Sequence, residues 1–177
     1  MILQITLDLR LRPLCFEDHR EMARLANNRK IWRNLRDLFP SPYTEEDAKE
    51  FIAIYQGERM PPTFAIEYQG NFAGVVGLVP QSDVYKKTAE VGYWLGEPYW
   101  GKGIMTQVVK QIVRYGFEQL GFLRIFTGVF AYNLASQHVL EKAGFVKEAV
   151  FKNAIFKDGQ VTDEVRYGIW KESDISE

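Results

Sequence analysis

The chain has 177 residues, is 46% hydrophobic and 25% charged, and balances 22 basic against 23 acidic side chains for a net charge of −1. This is the composition of one globular domain, residues 1–177, with enough chain to bury a core, and it excludes a disordered polymer and a broadly basic nucleic-acid surface. A single cysteine (Cys15) and two distant histidines (His19, His138) leave no intrachain disulfide and no zinc cluster. No apolar run approaches the roughly eighteen residues of a membrane span and no signal-peptide pattern opens the chain, so a cytoplasmic protein is expected.

In chain order, Ile5, Leu7, Leu9 and Leu11 alternate with polar residues, the period of a half-buried strand that Pro13 ends. Asp18 is placed to cap a helix carrying Met22, Leu25 and Ala26, which stops at Asn27-Asn28. A short helical turn holds Ile31, Trp32 and Leu35. The run Arg36 to Tyr43 is made irregular by Pro40 and Pro42, and Thr44 with Asp47 then reads as the cap of a helix bearing Ala48, Phe51, Ile52 and Tyr55 and ending at Gly57. Thr63–Tyr68 and Phe72–Pro80 flank the turn Gln69-Gly70-Asn71 as a hairpin. Thr88–Leu95 is the next strand, and period two puts Glu90, Gly92 and Trp94 on one of its faces and Val91, Tyr93 and Leu95 on the other.

Gly101 and Gly103 then allow a tight turn into a helix whose apolar positions Met105, Val108, Val109, Ile112, Val113, Phe117 and Leu120 recur at helical spacing. The first N–H groups of that helix lack internal partners and lie at the positive end of its dipole, which makes an anion site without a basic cluster. The loop is no Walker A sequence, because Gly-Lys-Ser/Thr is missing. A dinucleotide fingerprint fails as well: Thr106 stands at its third glycine and no acidic residue ends the next strand, Arg124–Phe130. A helix from Leu134 to Ala143, stopped by Gly144, and strands Lys147–Phe156 and Val161–Lys171 complete the chain. The class is α/β (α+β), a mixed sheet with helices on its faces and one right-handed parallel β-α-β unit.

Three spaced stretches carry a likeness: Ala89-Glu90-Val91-Gly92-Tyr93-Trp94-Leu95, Tyr99-Trp100-Gly101-Lys102-Gly103-Ile104-Met105-Thr106, and Asn133-Leu134-Ala135-Ser136 with Leu140-Glu141-Lys142-Ala143-Gly144-Phe145. Together they resemble the GNAT N-acetyltransferase family, and within it the RimJ/RimL-like branch that acetylates ribosomal-protein N-termini. The resemblance implies a mostly antiparallel seven-stranded sheet and acetyl-CoA, with no metal, bound where the strand Val91–Leu95 splays from the strand starting at Arg124. It implies cofactor contacts from the backbone of Tyr93, Trp94 and Leu95, from the loop Trp100, Gly101, Lys102, Gly103, Ile104, Met105 and Thr106, and from Asn133. Trp100 and Met105 depart from the family's commonest loop. Lys102 reads equally as a phosphate contact or a solvated loop residue, Met105 as a helix anchor, and Asn133 as cofactor contact, helix cap or both.

For catalysis the resemblance points to Glu90, as proton acceptor or as the group that orients an ammonium, and to Ser136 as hydrogen-bond donor to the departing sulfur. Many relatives place a tyrosine where this chain has Leu140. Arg36, Phe39 and Tyr43 are expected to bind the acceptor, with core or solvated roles as the alternative for each. The acceptor is expected to be a protein N-terminal α-amine, with a small amine (polyamine, amino acid or aminoglycoside) or a non-catalytic acetyl-CoA sensor as alternatives. The late strands, Phe151–Phe156 above all, either close the pocket or form a homodimer edge.

Overall fold

The computed structural model describes residues 1–55 and 62–171. Its elements are β1 (Leu3–Gln4), β2 (Leu9–Arg12), α1 (His19–Ala26), α2 (Arg29–Trp32), α3 (Glu45–Tyr55), β3 (Thr63–Tyr68), β4 (Asn71–Pro80), β5 (Thr88–Leu95), α4 (Ile104–Glu118), β6 (Arg124–Phe130), α5 (Leu134–Lys142), β7 (Val146–Lys157) and β8 (Gln160–Trp170). The strands make one sheet in the order β1-β2-β3-β4-β5-β6-β8-β7. Its described pairings are antiparallel apart from β5 with β6, which are parallel and joined through α4.

The eighth strand corrects the expected seven. The alternating segment near the start is a hairpin rather than one strand: the N–H groups of Ile5 and Thr6 both donate to the Leu9 carbonyl at 3.0 Å, and the Leu9 N–H donates to Thr6 Oγ1 at 3.1 Å. Leu7, an apolar member of the alternation, is fully exposed at the tip. Asp18 is a second correction. Its carboxylate does not cap α1; it receives the Arg12 guanidinium at 2.7 and 2.8 Å and, in a capping box on the preceding turn Phe16–Asp18, the Cys15 N–H at 2.9 Å. The Thr44–Asp47 reciprocal cap forms as read, with Thr44 N–H to Asp47 Oδ2 at 2.7 Å and Asp47 N–H to Thr44 Oγ1 at 3.2 Å. The end of α3 expected at Gly57 lies outside the described residues.

Strand alternation distributes apolar side chains to two cores, one on each face of the sheet. On one face Phe64, Ile66, Leu78, Val91 and Ile125 pack against Ile104, Met105, Val108 and Ile112 of α4 and Leu140 of α5. On the other, Ala65, Phe72 and Val75 pack against Met22, Leu25 and Ala26 of α1 and Ala48 and Ile52 of α3. Each large aliphatic side chain buried this way contributes roughly 1.5–3 kcal/mol. Gly116 lets α4 approach closely, since a Cβ there would come 2.8 Å from Leu78 Cδ1 and 2.9 Å from Ile125 Cδ1.

Arg12 also reaches Glu67 Oε2 through Nε at 2.7 Å, so one guanidinium ties β2 to β3 and to the start of α1. Burial alone would raise the carboxyls of Asp18 and Glu67, but the hydrogen bonds and charge of their arginine partners outweigh it and hold both below the usual carboxylate range. A depressed folded-state pKa gives stability that is complete above the unfolded value and lost as pH falls through the folded one. Arg12→Met should therefore lower the unfolding free energy at pH 7 by about 3 kcal/mol. The gap from the parent should narrow as pH falls below about 4, as urea denaturation at the two pH values will show.

Candidate active site

The site is made by strands that stop pairing. β4 holds β5 along its whole length, from Pro80 opposite Ala89 to Gly74 opposite Leu95. β8 holds β6 as far as Phe130 opposite Glu164. Between β5 and β6, however, the register runs only through Thr88 with Arg124, Ala89 with Ile125 and Glu90 with Phe126. Beyond Glu90 the two strands diverge, and among the described residues no strand pairs with the facing backbone edge of Val91–Leu95.

The loop Gly96–Gly103 sits at the C-terminal end of β5. Gly101 and Gly103 have φ of +75° and +71°, a left-handed backbone that costs L side chains about 1–2 kcal/mol. Gly103 precedes Ile104 as the cap of α4 and offers no side chain, so no side-chain cap takes the first N–H groups of this 15-residue helix. Ile104 and Met105 are buried beneath, which makes Met105 the helix anchor that its apolar character suggests, while Thr106 is half-buried. The Trp100 indole N–H donates to the Leu95 carbonyl at 2.7 Å, tying the loop back to the strand. The Lys102 ammonium lies 5.6 Å from the ring centres of both Tyr68 and Tyr99.

β5 gives its two faces different surroundings. Tyr93 lies on the α4–α5 side with Val91 and Leu95, and its hydroxyl is 2.8 Å from Ser136 Oγ. Burial pushes the Tyr93 phenol up to about 12, against a smaller opposing effect of the Ser136 bond. Ser136 sits in the first turn of α5, where its N–H donates to Asn133 Oδ1 at 3.2 Å; Asn133 is thus the helix cap. Leu140 is fully buried in the core.

On the opposite face Glu90, largely buried, forms an ion pair with the exposed Arg36. Trp94 meets the edge of Phe39 with ring centres 6.2 Å apart, and Phe39 lies against Tyr43 at 4.7 Å. Tyr43 is a core residue supporting Phe39 from behind: it is buried, its hydroxyl approaches Met22 Sδ at 3.7 Å, and burial first, then Asp47, pushes its phenol up to about 12. Between Glu90 and Trp94, Gly92 leaves open space, because a Cβ there would meet nothing within 4 Å.

The segment bearing Arg36 and Phe39 is strapped across the site by contacts that sequence reasoning missed. The Tyr132 hydroxyl donates to the Arg33 carbonyl. Lys157 places its ammonium 2.5 Å from Asp37 Oδ1 and 3.6 Å from the Trp32 ring centre, with its side chain only 2% exposed. Arg29 pairs with Asp158 at 2.7 Å. Lys157 and Asp158 lie between the two expected late strands, and no local pattern marks a lysine that will be buried against a distant tryptophan. Also missed was a cluster on β6, β7 and β8. Arg166 lies over Phe126 and Phe151 at 5.1 and 5.4 Å and holds Glu164 at 2.6 Å, whose carboxylate covers Gly128. β7 is the outer strand of the sheet, with Val146, Val150, Phe151 and Phe156 exposed.

Residues 8–146 match the acetyltransferase (GNAT) domain. A probable N-acetyltransferase of Bacillus subtilis (strain 168), YjcK, is 34% identical over 165 residues, spanning 85% of this chain and 90% of that protein. The spermidine N(1)-acetyltransferase of Escherichia coli (strain K12) is 31% identical over 175 residues, spanning 96% and 89%. Among solved structures, the RimL ribosomal L7/L12 alpha-N-protein acetyltransferase in complex with coenzyme A superposes with a TM-score of 0.83 at 23% identity, over 98% of this chain and 100% of that one, a likeness of fold.

Lys157→Met should keep the apolar contact with Trp32 but lose the cation, costing about 1 kcal/mol of stability. Because the strap loses its tie through Asp37, limited proteolysis should cut between Arg33 and Arg36 faster than in the parent; unchanged cleavage would remove Lys157 as the anchor.

Proposed function

The chain belongs to the GNAT acetyltransferase family and is an acetyl-CoA-dependent N-acetyltransferase, and on that premise we propose that its acceptor is the α-amine of a protein N-terminus. The observation that carries this reading is the charge around Glu90. Glu90 stands at the opening of the strands, paired with Arg36, and the segment over it also bears Arg33, while its Arg29 and Lys30 are offset by Asp158 and Glu97 and its Asp37 by Lys157. A single ammonium finds a partner in Glu90, whereas the further ammonium groups of a polyamine meet basic side chains. An uncharged or acidic peptide following the α-amine suits that surface. The polyamine reading is kept by one fact, the 31% identity to a spermidine acetyltransferase.

The residues present fit acetyl-CoA. The unpaired edge of Val91–Leu95 suits the amide-bearing arm as an added strand would, and the first N–H groups of α4, from Ile104 to Thr106, suit the pyrophosphate. Lys102, engaged over Tyr68 and Tyr99, is left as a secondary contact. When bound, acetyl-CoA supplies an activated thioester carbonyl. Glu90 exchanges the Arg36 guanidinium for the acceptor's ammonium and takes its proton, directly or through water, freeing the nitrogen lone pair for attack. Backbone N–H groups of β5 near Tyr93–Leu95 stabilise the carbonyl oxygen as charge grows on it. As the new C–N bond forms and the C–S bond breaks, the nitrogen gives up its second proton to solvent, the Ser136 hydroxyl donates a hydrogen bond to the sulfur, and solvent returns a proton there. Phe39 and Trp94 wall the acceptor side, with open space above Gly92.

The amine's own titration separates the two acceptor classes. An α-amine of pKa about 7.7–8.0 is neutral in roughly a tenth or more of molecules at pH 7, whereas an amine near 10.4 is neutral in about one in a few thousand. Free-thiol release should be fastest with N-terminal peptides, and their kcat/KM should rise with pH and level off above about pH 8. Glu90→Gln should lower kcat at least ten-fold while coenzyme A binding is retained. Preference for spermidine, with kcat/KM still climbing above pH 9, would transfer the assignment to polyamines.

A further inference from the structure

We propose that Tyr93 is the positioning residue for Ser136, its phenol fixing the direction in which the serine proton points. This deepens the mechanism above and rests on Ser136 facing the sulfur.

A serine hydroxyl carries one proton and two lone pairs. At 2.8 Å from Tyr93, Ser136 Oγ either donates to the phenol or accepts from it. Donation would direct the only serine proton into the Tyr93 bond and leave none for a sulfur. Acceptance leaves that proton free to point into the opening. The phenol is the more acidic of the two hydroxyls and hence the better donor. A phenol is protonated at neutral pH in any case, and burial pushes this one further up, to about 12. The Tyr93 O–H therefore donates, and Ser136 is left with an unspent donor.

The rest of the local structure holds this arrangement in place. Tyr93 is fixed from β5, whose other edge pairs Val76 of β4 opposite it. Ser136 is fixed from α5, whose first turn is pinned by the Ser136 N–H to Asn133 Oδ1 bond. The hydroxyl pair thus bridges β5 to α5 at the level where β5 and β6 have already parted. The phenol is not itself a net acid in this scheme: a group that holds its proton up to about pH 12 orients a donor more readily than it surrenders a proton to a thiolate with the ordinary pKa near 8.5.

Steady-state kinetics of the parent, Tyr93→Phe, Ser136→Ala and the double variant, with coenzyme A affinity measured by calorimetry, test the assignment. Phenylalanine retains the ring packed against the core. Tyr93→Phe should lower kcat about ten-fold and leave KM for acetyl-CoA and the coenzyme A Kd within two-fold. The double variant should be no slower than Ser136→Ala alone. A 3-fluorotyrosine at position 93, which keeps the hydroxyl, should retain kcat within two-fold. Parent-like kcat in Tyr93→Phe, multiplicative losses in the double variant, or loss of kcat with 3-fluorotyrosine would each overturn the Tyr93 assignment. Parent-like kcat in Ser136→Ala would instead remove the Ser136 reading beneath it.

Discussion

Pairing between β5 and β6 ends at Glu90 and Phe126, and the chemistry of this protein follows from where it ends. A sheet paired to the tips of both strands would have satisfied the backbone of Val91–Leu95 and left no entry between its faces. Because β4 and β8 hold the two strands from their outer sides, each stays extended after parting from the other. The result is an unpaired backbone edge inside a well-packed sheet, with a helix N-terminus at its open end. The strand edge lacks a partner strand because β4 and β8 hold the other sides, with the Leu95 carbonyl taken by the Trp100 indole, whereas the first N–H groups of the helix lack partners by helix geometry.

Strand periodicity then assigns roles. Residues two apart on β5 see the same face, so Glu90, Gly92 and Trp94 look toward α1 and α3 while Val91, Tyr93 and Leu95 look toward α4 and α5. On the proposed reading the acceptor and the cofactor approach one strand from opposite sides. The two faces also differ in chemistry: one pairs a carboxylate with an arginine beside aromatic rings, and the other joins two neutral hydroxyls. A one-residue slip in β5 would exchange every one of these assignments, which gives the flanking β4 register functional as well as structural weight.

Much of this was legible because it is local. The left-handed glycines at 101 and 103, the helix they precede, the burial of Met105, the Asn133 cap and the two faces of β5 all follow from spacing within about ten residues. What escaped was long-range or depended on a turn closed by a side chain. Thr6 converts an alternating segment into the β1–β2 hairpin, and alternation alone does not reveal that. Tyr93 and Ser136 are 43 residues apart, and Asp37 and Lys157 are 120 apart, so nothing in the neighbourhood of either predicts its partner. Tyr43 illustrates the reverse: an aromatic in an irregular, proline-flanked run looks like a pocket wall, yet the second core takes it and leaves Phe39 half-buried at its margin. Asp18 likewise turns to the half-buried Arg12 guanidinium and the Cys15 N–H rather than to the first N–H groups of α1.

The division of labour across β5 is tested most directly by amide NMR of the protein titrated first with coenzyme A and then with an N-terminal peptide. The account predicts that coenzyme A perturbs Tyr93–Leu95, Gly101–Thr106, Asn133 and Ser136, and that the peptide adds shifts at Arg36, Asp37, Phe39, Glu90 and Gly92. Coenzyme A shifts centred on Arg36–Phe39, with Gly101–Thr106 unmoved, would contradict it.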